Sequence, residues 1–475
     1  MNIATRRYGQ AFWLVALGAG LYAITFLYSR SASAVPSFAR QTGYTCNRCH
    51  INPPELTDEG RKFKLNGYTL RAGQAPLSGQ TGKPGQAGQT GLPPISTPPD
   101  RQKSGLDLLA YLPLSAWFEI SNAGLKKPQP SAQNWNFSLP QDVSLFLSGA
   151  FSTHSGGFIQ AIYDAQSDHF TLDNTDIRYA RSRLVHGKTL VYGITLNNSP
   201  TVEDIWSSTP AWGYPWIGPE GVPTPTATAI VDGALAQDVA GLGGYAMWHD
   251  HLYGAAAVYR SSHLGQSLPN AGTASQFNIQ GVAPYWRAAW QQSSGNNYLE
   301  VGTYGMHVVS TPLAVTGLRD TFTDTAMDWQ YERVLPQMAN DMITFHGTYI
   351  HESSNLTATF NSGGARFVPH HLDTFRTDVA YHAGFRFAPA IGYFVTSGTT
   401  DSNLYAPEPL SGSQTGSPRS QGFTANFTYW PVMNIRLAAQ YTRYLSFNGS
   451  GTNYDGAGRN AGDNNSVYLL VGVIF

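Results

Sequence analysis

The sequence predicts an all-β fold: a transmembrane antiparallel β-barrel of about 16 strands, preceded by a small segment of helical and irregular structure. Three observations predict it. Residues 106–475 alternate apolar and polar side chains with period two, and no 3.6-residue helical rhythm is sustained in them. Toward the C-terminus a tight turn and then a long polar loop connect successive strands, as the two ends of an outer-membrane barrel require. The last strand ends in an aromatic residue, Phe475.

Residues 1–34 read as an export signal. Arg6 and Arg7 precede the apolar stretch Ala11 to Tyr28, and Ala32-Ser33-Ala34 supplies an A-x-A cleavage site before Val35. Export combined with a barrel pattern points to the bacterial outer membrane.

Residues 35–70 hold the only two cysteines of the chain, in Cys46-Asn47-Arg48-Cys49-His50. The C-x-x-C-H pattern is the attachment signature of a c-type haem. Cys46 and Cys49 are placed to form thioethers with the two vinyl groups, and His50 to reach the iron as proximal ligand. Half of a zinc ribbon fits less well, since there is no second cysteine pair and the next histidine is His154. A thioredoxin-like redox pair belongs beside a βαβ pattern, and none is visible. One covalent haem c is therefore expected. Leu56 to Tyr68 read as a short helix, with Thr57 as N-cap and Asp58 and Glu59 in its first turn. So short a segment cannot bury a porphyrin alone, which places it inside the barrel or at one mouth as a plug.

Residues 71–105 change to Gly, Pro, Gln, Ser and Thr, as in Gly79-Gln80-Thr81-Gly82-Lys83-Pro84, and read as a flexible linker.

In the barrel region, residues 106–475, the clearest strands come late. Phe423, Ala425, Phe427 and Tyr429 alternate with Thr424, Asn426 and Thr428. After a turn placed at Pro431, Ile435, Leu437, Ala439 and Tyr441 alternate with Asn434, Arg436, Ala438 and Gln440. A polar loop from Ser446 to Asn465 then leads to a last strand with Val467, Leu469, Val471, Val473 and Phe475 on one face. The same alternation recurs over residues 189–197, 279–291 and 299–309. A soluble sandwich would bury one face against a second sheet, whereas here the less apolar face is rich in Thr, Asn, Gln and Gly, as lipid outside and water inside demand. Trp248 and Tyr253 are candidates for the interfacial aromatic girdle.

Composition narrows the partners. Charged residues make up 12% of the chain, against about 25% in average soluble domains. The formal net charge is −1, which offers nothing to a nucleic acid, and no Lys/Arg run is present to bind anionic lipid headgroups. The expected lipid contact is the outer-membrane hydrocarbon around the barrel.

Several segments carry a family resemblance. They are Phe38-Ala39-Arg40-Gln41-Thr42-Gly43, the cysteine motif, Gly60-Arg61-x-Phe63-Lys64-x-x-Gly67-Tyr68, and the barrel segments Tyr192-Gly193-Ile194-Thr195-Leu196-Asn197-Asn198-Ser199-Pro200, Gly281-Val282-Ala283-Pro284-Tyr285-Trp286-Arg287 and Asn453-Tyr454-Asp455-Gly456. Together they resemble the outer-membrane monohaem cytochrome-porin fusions that serve as iron oxidases. That resemblance implies an oxidoreductase that takes electrons from extracellular Fe(II), or from another outside donor, and hands them through its haem to a periplasmic cytochrome or copper protein. Alternatives are a haem conduit for another donor or acceptor and a porin-like solute channel. A homotrimer is a candidate assembly.

Two positions stay open. No Met and no second His lies between His50 and His154, so a distal iron ligand has to come from elsewhere. Met306, Met342 and His346 are candidates by strand phase, with Lys62, Lys64, Tyr44, Tyr68, the mature N-terminal amine and water as alternatives. Glu55, Asp58 and Glu59 offer hard oxygen ligands near the motif as candidate Fe(II) contacts.

Overall fold

The computed structural model describes residues 37–70, 113–130, 132–164, 168–262, 278–312 and 317–475. Two compact units divide the chain, Met1–Val35 and Pro36–Phe475, and every described residue belongs to the second. The signal peptide expected at 1–34 and the linker expected at 71–105 lie outside the described residues.

The N-terminal segment consists of α1 (Ser37–Thr42), α2 (Cys46–Cys49), a small hairpin of β1 (His50–Asn52) and β2 (Glu55–Leu56), and α3 (Asp58–Leu65). Local sequence explains α3. The Thr57 side chain caps it by accepting from the Gly60 amide (3.2 Å), and Asp58 and Glu59 occupy the first turn, where the helix dipole favours anions. It ends at Gly67, which takes a φ of 69°. The amides of Gly67 and Tyr68 then reach back to the carbonyls of Lys64 and Phe63, closing a Schellman motif.

The barrel comprises β3 (Leu114–Leu125), β4 (Asn136–Ser138), β5 (Asp142–Ala150), β6 (Ser155–Asp164), β7 (His169–Val185), β8 (Lys188–Asn197), β9 (Val239–Trp248), β10 (Leu252–Ser261), β11 (Ala283–Ser294), β12 (Asn297–Ser310), β13 (Asp320–Leu335), β14 (Asp341–Asn355), β15 (Pro369–His382), β16 (Phe387–Gly398), β17 (Ser420–Val432), β18 (Ile435–Ser446) and β19 (Ser466–Ile474). All but the three-residue β4 are full wall strands, sixteen in number, and the cylinder closes where β19 pairs antiparallel with β3. Closure leaves no wall edge to template aggregation or to face lipid unpaired.

Strand phase sorts the two faces as the alternation requires. On β17, Phe423 and Phe427 are exposed, while Thr424, Asn426 and Thr428 are buried in the interior. The exposed apolar set runs around the wall, from Leu145 and Leu147 through Trp286 and Trp290 to Ile391, forming the face that hydrocarbon covers. The turn between β17 and β18 lies at Met433 and Asn434, with Val432 opposite Ile435, so Pro431 is the penultimate residue of a strand. Tyr253 is not a girdle residue. It falls on the buried phase of β10, is 4% exposed, and packs edge-on against Trp206 with ring centroids 5.2 Å apart.

Connections are unequal at the two ends. One end carries tight turns such as His186–Gly187 and Met433–Asn434, and both the first residue of β3 and the last of β19 lie there. The other end carries long loops, including 399–419 and 447–465. In outer-membrane barrels the short turns face the periplasm. The longest loop, residues 198–238 between β8 and β9, folds inward: Tyr285 of β11 donates to Glu203, Ser208 donates to Asp328 of β13 (2.6 Å), and the Arg376 guanidinium of β15 clasps Asp232.

Candidate functional site

The site is the filled lumen, where the N-terminal segment meets the wall and the inward loop. Its anchors are buried charges. Arg61 of α3, 3% exposed, pairs with Glu332 of β13, donates to the Leu56 carbonyl (3.0 Å), and lies 4.1 Å from the centroid of the Tyr298 ring. Glu332 also accepts from Gln330 (2.7 Å). On the far side of the segment, Tyr68 donates to Asp176 of β7 (2.7 Å), which also pairs with Arg178 (2.7 Å). Trp430 of β17 donates its indole N–H to Asn52 (3.0 Å), and Gln41 accepts from the Ala150 amide (2.8 Å). Contacts on β5, β7, β13 and β17 surround the segment, so it sits inside the cylinder as a plug. Most of these partners lie in the half of the wall next to the short turns.

Glu55 shows how closely plug and wall fit. Its carboxylate is fully buried between two wall histidines, with His346 Nε2 at 3.1 Å from Oε1 and His382 Nε2 at 3.4 Å from Oε2. Asp378 holds the other His346 nitrogen at 3.2 Å. Burial pushes the Glu55 carboxyl up, but His382 and His346 outweigh it and hold the group below its ordinary value. Trp216 of the inward loop lies edge-on to His346, with centroids 6.1 Å apart, so loop, plug and wall meet at this point.

Lys64 sits one helical turn beyond Gly60. It donates to the Val202 and Asp204 carbonyls (2.7 and 2.6 Å) and lies 4.4 Å from the Trp212 ring centroid. Burial, helped by the nearby Arg178, pushes its ammonium down from 10.5 to about 7. Once undocked, the side chain keeps its proton up to the ordinary value, so between these limits the undocked state binds more protons than the docked one. Docking should therefore strengthen as pH rises from about 7 toward 10, the reverse of what a docking ammonium ion pair would give. Trp212 fluorescence followed against pH checks the sign, and Lys64→Met should flatten the profile.

The cysteine-bearing turn is pressed onto α3. Thr57 donates its hydroxyl to the Arg48 carbonyl (2.7 Å) and its amide to the Cys49 carbonyl (3.0 Å), and a Cβ placed on Gly60 would collide with that carbonyl oxygen. Gly60→Ala is expected to cost about 1–3 kcal/mol of plug packing through overpacking. Faster protease cleavage within residues 44–60, with the barrel still resistant to heating in detergent, is the measurement.

The sequence-predicted residues have diverse surroundings. Cys46 and Cys49 are half-buried in α2, beside the exposed Arg48. Asp58 is exposed and pairs with Lys62, and Glu59 pairs with Arg48 at 3.6 Å. Met306 belongs to an apolar cluster beneath the inward loop, with Ile230, Tyr285 and Ile350. Met342 lies opposite His382 in the strand register. Between plug and wall, the fold brings Glu55 and His346 together as direct neighbours. Sequence reasoning missed Arg61, Glu332, His382 and Asp378. A signal existed on β13, where Asp320, Asp324, Asp328, Gln330 and Glu332 all fall on one phase, an acidic ladder that period-two reading could have assigned to the interior.

No protein-family model and no curated protein matches the chain. Solved structures that are similar include an anion-selective porin from Comamonas acidovorans (11% identity, 76% of this chain and 98% of that one, TM-score 0.44). The outer membrane channel DcaP of Acinetobacter baumannii is 10% identical over 76% of this chain and 96% of its own, with a TM-score of 0.44. OprB of Pseudomonas putida is 9% identical over 76% and 93%, with a TM-score of 0.47.

The expected covalent haem c is corrected on these findings. No matching family or curated relative ties the cysteine pair to a haem, and the two cysteines, three positions apart, are the only ones in the chain. Burial pushes the Cys46 thiol up and the Cys49 thiol up to about 11. Burial likewise pushes the His50 imidazole down to about 4, outweighing backbone hydrogen bonds at Glu55 and Pro54 that push it up.

Proposed function

We propose that this protein is a porin-like outer-membrane channel whose lumen is closed by its own N-terminal segment. The observation that carries the reading is the Arg61–Glu332 pair, a charge from the segment matched to a charge on the wall with both side chains under a tenth exposed. A buried charge is tolerated only when it is paired, so the wall residue anticipates the plug. The long inward loop supports the same reading by narrowing the lumen beside the plug, and the apolar belt supports the membrane setting. The electron transfer implied by the family resemblance depended on the corrected cofactor and is not part of this reading.

Planar-bilayer recording tests it. The full chain should conduct little, and a chain lacking residues 35–70 should open stable ion-conducting pores. A full chain that conducts as freely as the deletion would refute closure by the plug. Two equally silent barrels would refute the channel.

A further inference from the structure

At the long-loop end of the wall lies a cavity of ≈ 190 Å³, formed by the ends of β12 to β15 and the loops above them. Phe322, Leu356 and Leu404 supply apolar walls, while Ser310, Asp320 and Glu352 supply polar groups. These three polar residues are 2%, 2% and 6% exposed. Ser310 Oγ has no hydrogen-bond partner, and a buried hydroxyl left unmatched is costly unless a ligand pairs it.

The carboxylates at the cavity have no cationic side chain beside them. Glu352 accepts from the Ile230 amide (2.8 Å), and Asp320 accepts from the amides of Ala358 and Thr359 and from the Thr359 hydroxyl. Directly across the register from Glu352 stands a further acid, Asp324, whose carboxyl group shares a side-chain hydrogen bond with that of Glu352. Neither lining histidine serves the two acids: His370 Nε2 faces Asp401 (3.0 Å) and His371 Nδ1 faces Thr399 (2.9 Å). No lysine or arginine lines the cavity.

An apolar chamber with buried anionic acceptors and a spare hydroxyl matches one ligand class. An ammonium head donates up to three hydrogen bonds, and a short hydrocarbon tail occupies the apolar walls. A bare divalent ion is served poorly, because it needs about six oxygen ligands and much of this lining is hydrocarbon. We propose that the cavity binds a small primary alkylammonium compound from outside, its head between Glu352 and Ser310 and its tail against Phe322, Leu356 and Leu404.

Calorimetric titration of the full-length protein in detergent with n-butylammonium chloride tests this, with 1-butanol and MgCl2 as comparison ligands. Saturable one-to-one binding is expected, weakened at least tenfold by Glu352→Gln. Because Glu352 also holds the inward loop, Leu404→Trp, which fills the apolar end from a different loop, is the second variant and should abolish binding. No saturable heat overturns the proposal, as does binding that neither variant weakens. Equal binding of 1-butanol would reduce the site to an apolar void, and tighter binding of Mg²⁺ would make it a metal site; either result also overturns the proposal.

Discussion

Arg61→Ala is expected to release the plug while the barrel stays folded. The substitution leaves Glu332 buried with Gln330 as its remaining side-chain partner, and removes a guanidinium seated 4.1 Å from the Tyr298 ring centroid. Breaking one half of a buried ion pair costs about 3–5 kcal/mol, because the orphaned charge keeps its desolvation penalty. Docking strength should fall by that order, enough to populate an undocked segment. Trypsin should then cut at Lys62 and Lys64 in variant barrels that still shift on heating in gels. The double variant Arg61→Ala with Glu332→Gln should recover part of the loss, since no charge is then stranded. Protection equal to the parent chain would mean that the pair does not hold the plug.

The second large effect is expected at Arg287. Its guanidinium has no exposed surface and serves three acids, Asp204 of the inward loop at 3.3 Å, Glu300 at 3.4 Å and Asp328 at 2.7 Å. Burial pushes Asp204 up, but Arg287 and the loop amides outweigh it and hold this carboxyl below its ordinary value. Arg287→Ala removes the cation that pairs with all three acids and leaves them buried together, so the loss should exceed the roughly 3–5 kcal/mol of a single broken pair. The inward loop is expected to unseat, and much of the chain to fail in barrel assembly at neutral pH. Trp206, whose indole donates to Gln291 (2.9 Å) within the same cluster, reports the change by a red shift in fluorescence. Acidification should restore part of the packing by neutralising the acids. A variant that assembles normally with unshifted emission would show that the loop is held by its other contacts.

Both results concern contacts that the chain's local pattern does not contain. The wall was legible because membrane and water impose opposite demands on alternate residues, and Phe423, Thr424, Ala425 and Asn426 record them in adjacent positions. The capped helix after the cysteine motif was legible for the same reason, since Thr57, Asp58 and Glu59 act within one turn. Motif reading misled at the cysteines: a five-residue pattern states spacing, whereas cofactor binding also depends on what surrounds His50 after folding. Tyr253 misled too, because an aromatic suits a girdle or an interior equally until its strand phase is known.

The sequence alone determined an outward apolar face and an inward polar face, which follow from side chains two positions apart, and a closed cylinder of about 16 strands, which follows from the length of the alternating region. Only the tertiary structure decided what fills that cylinder. Arg61 and Glu332 are separated by 271 positions, and Glu55 finds its histidines on two different strands. Such pairs form because a charge carried into the lumen must meet its opposite or lose its solvation energy, and which residues meet depends on register around the whole barrel.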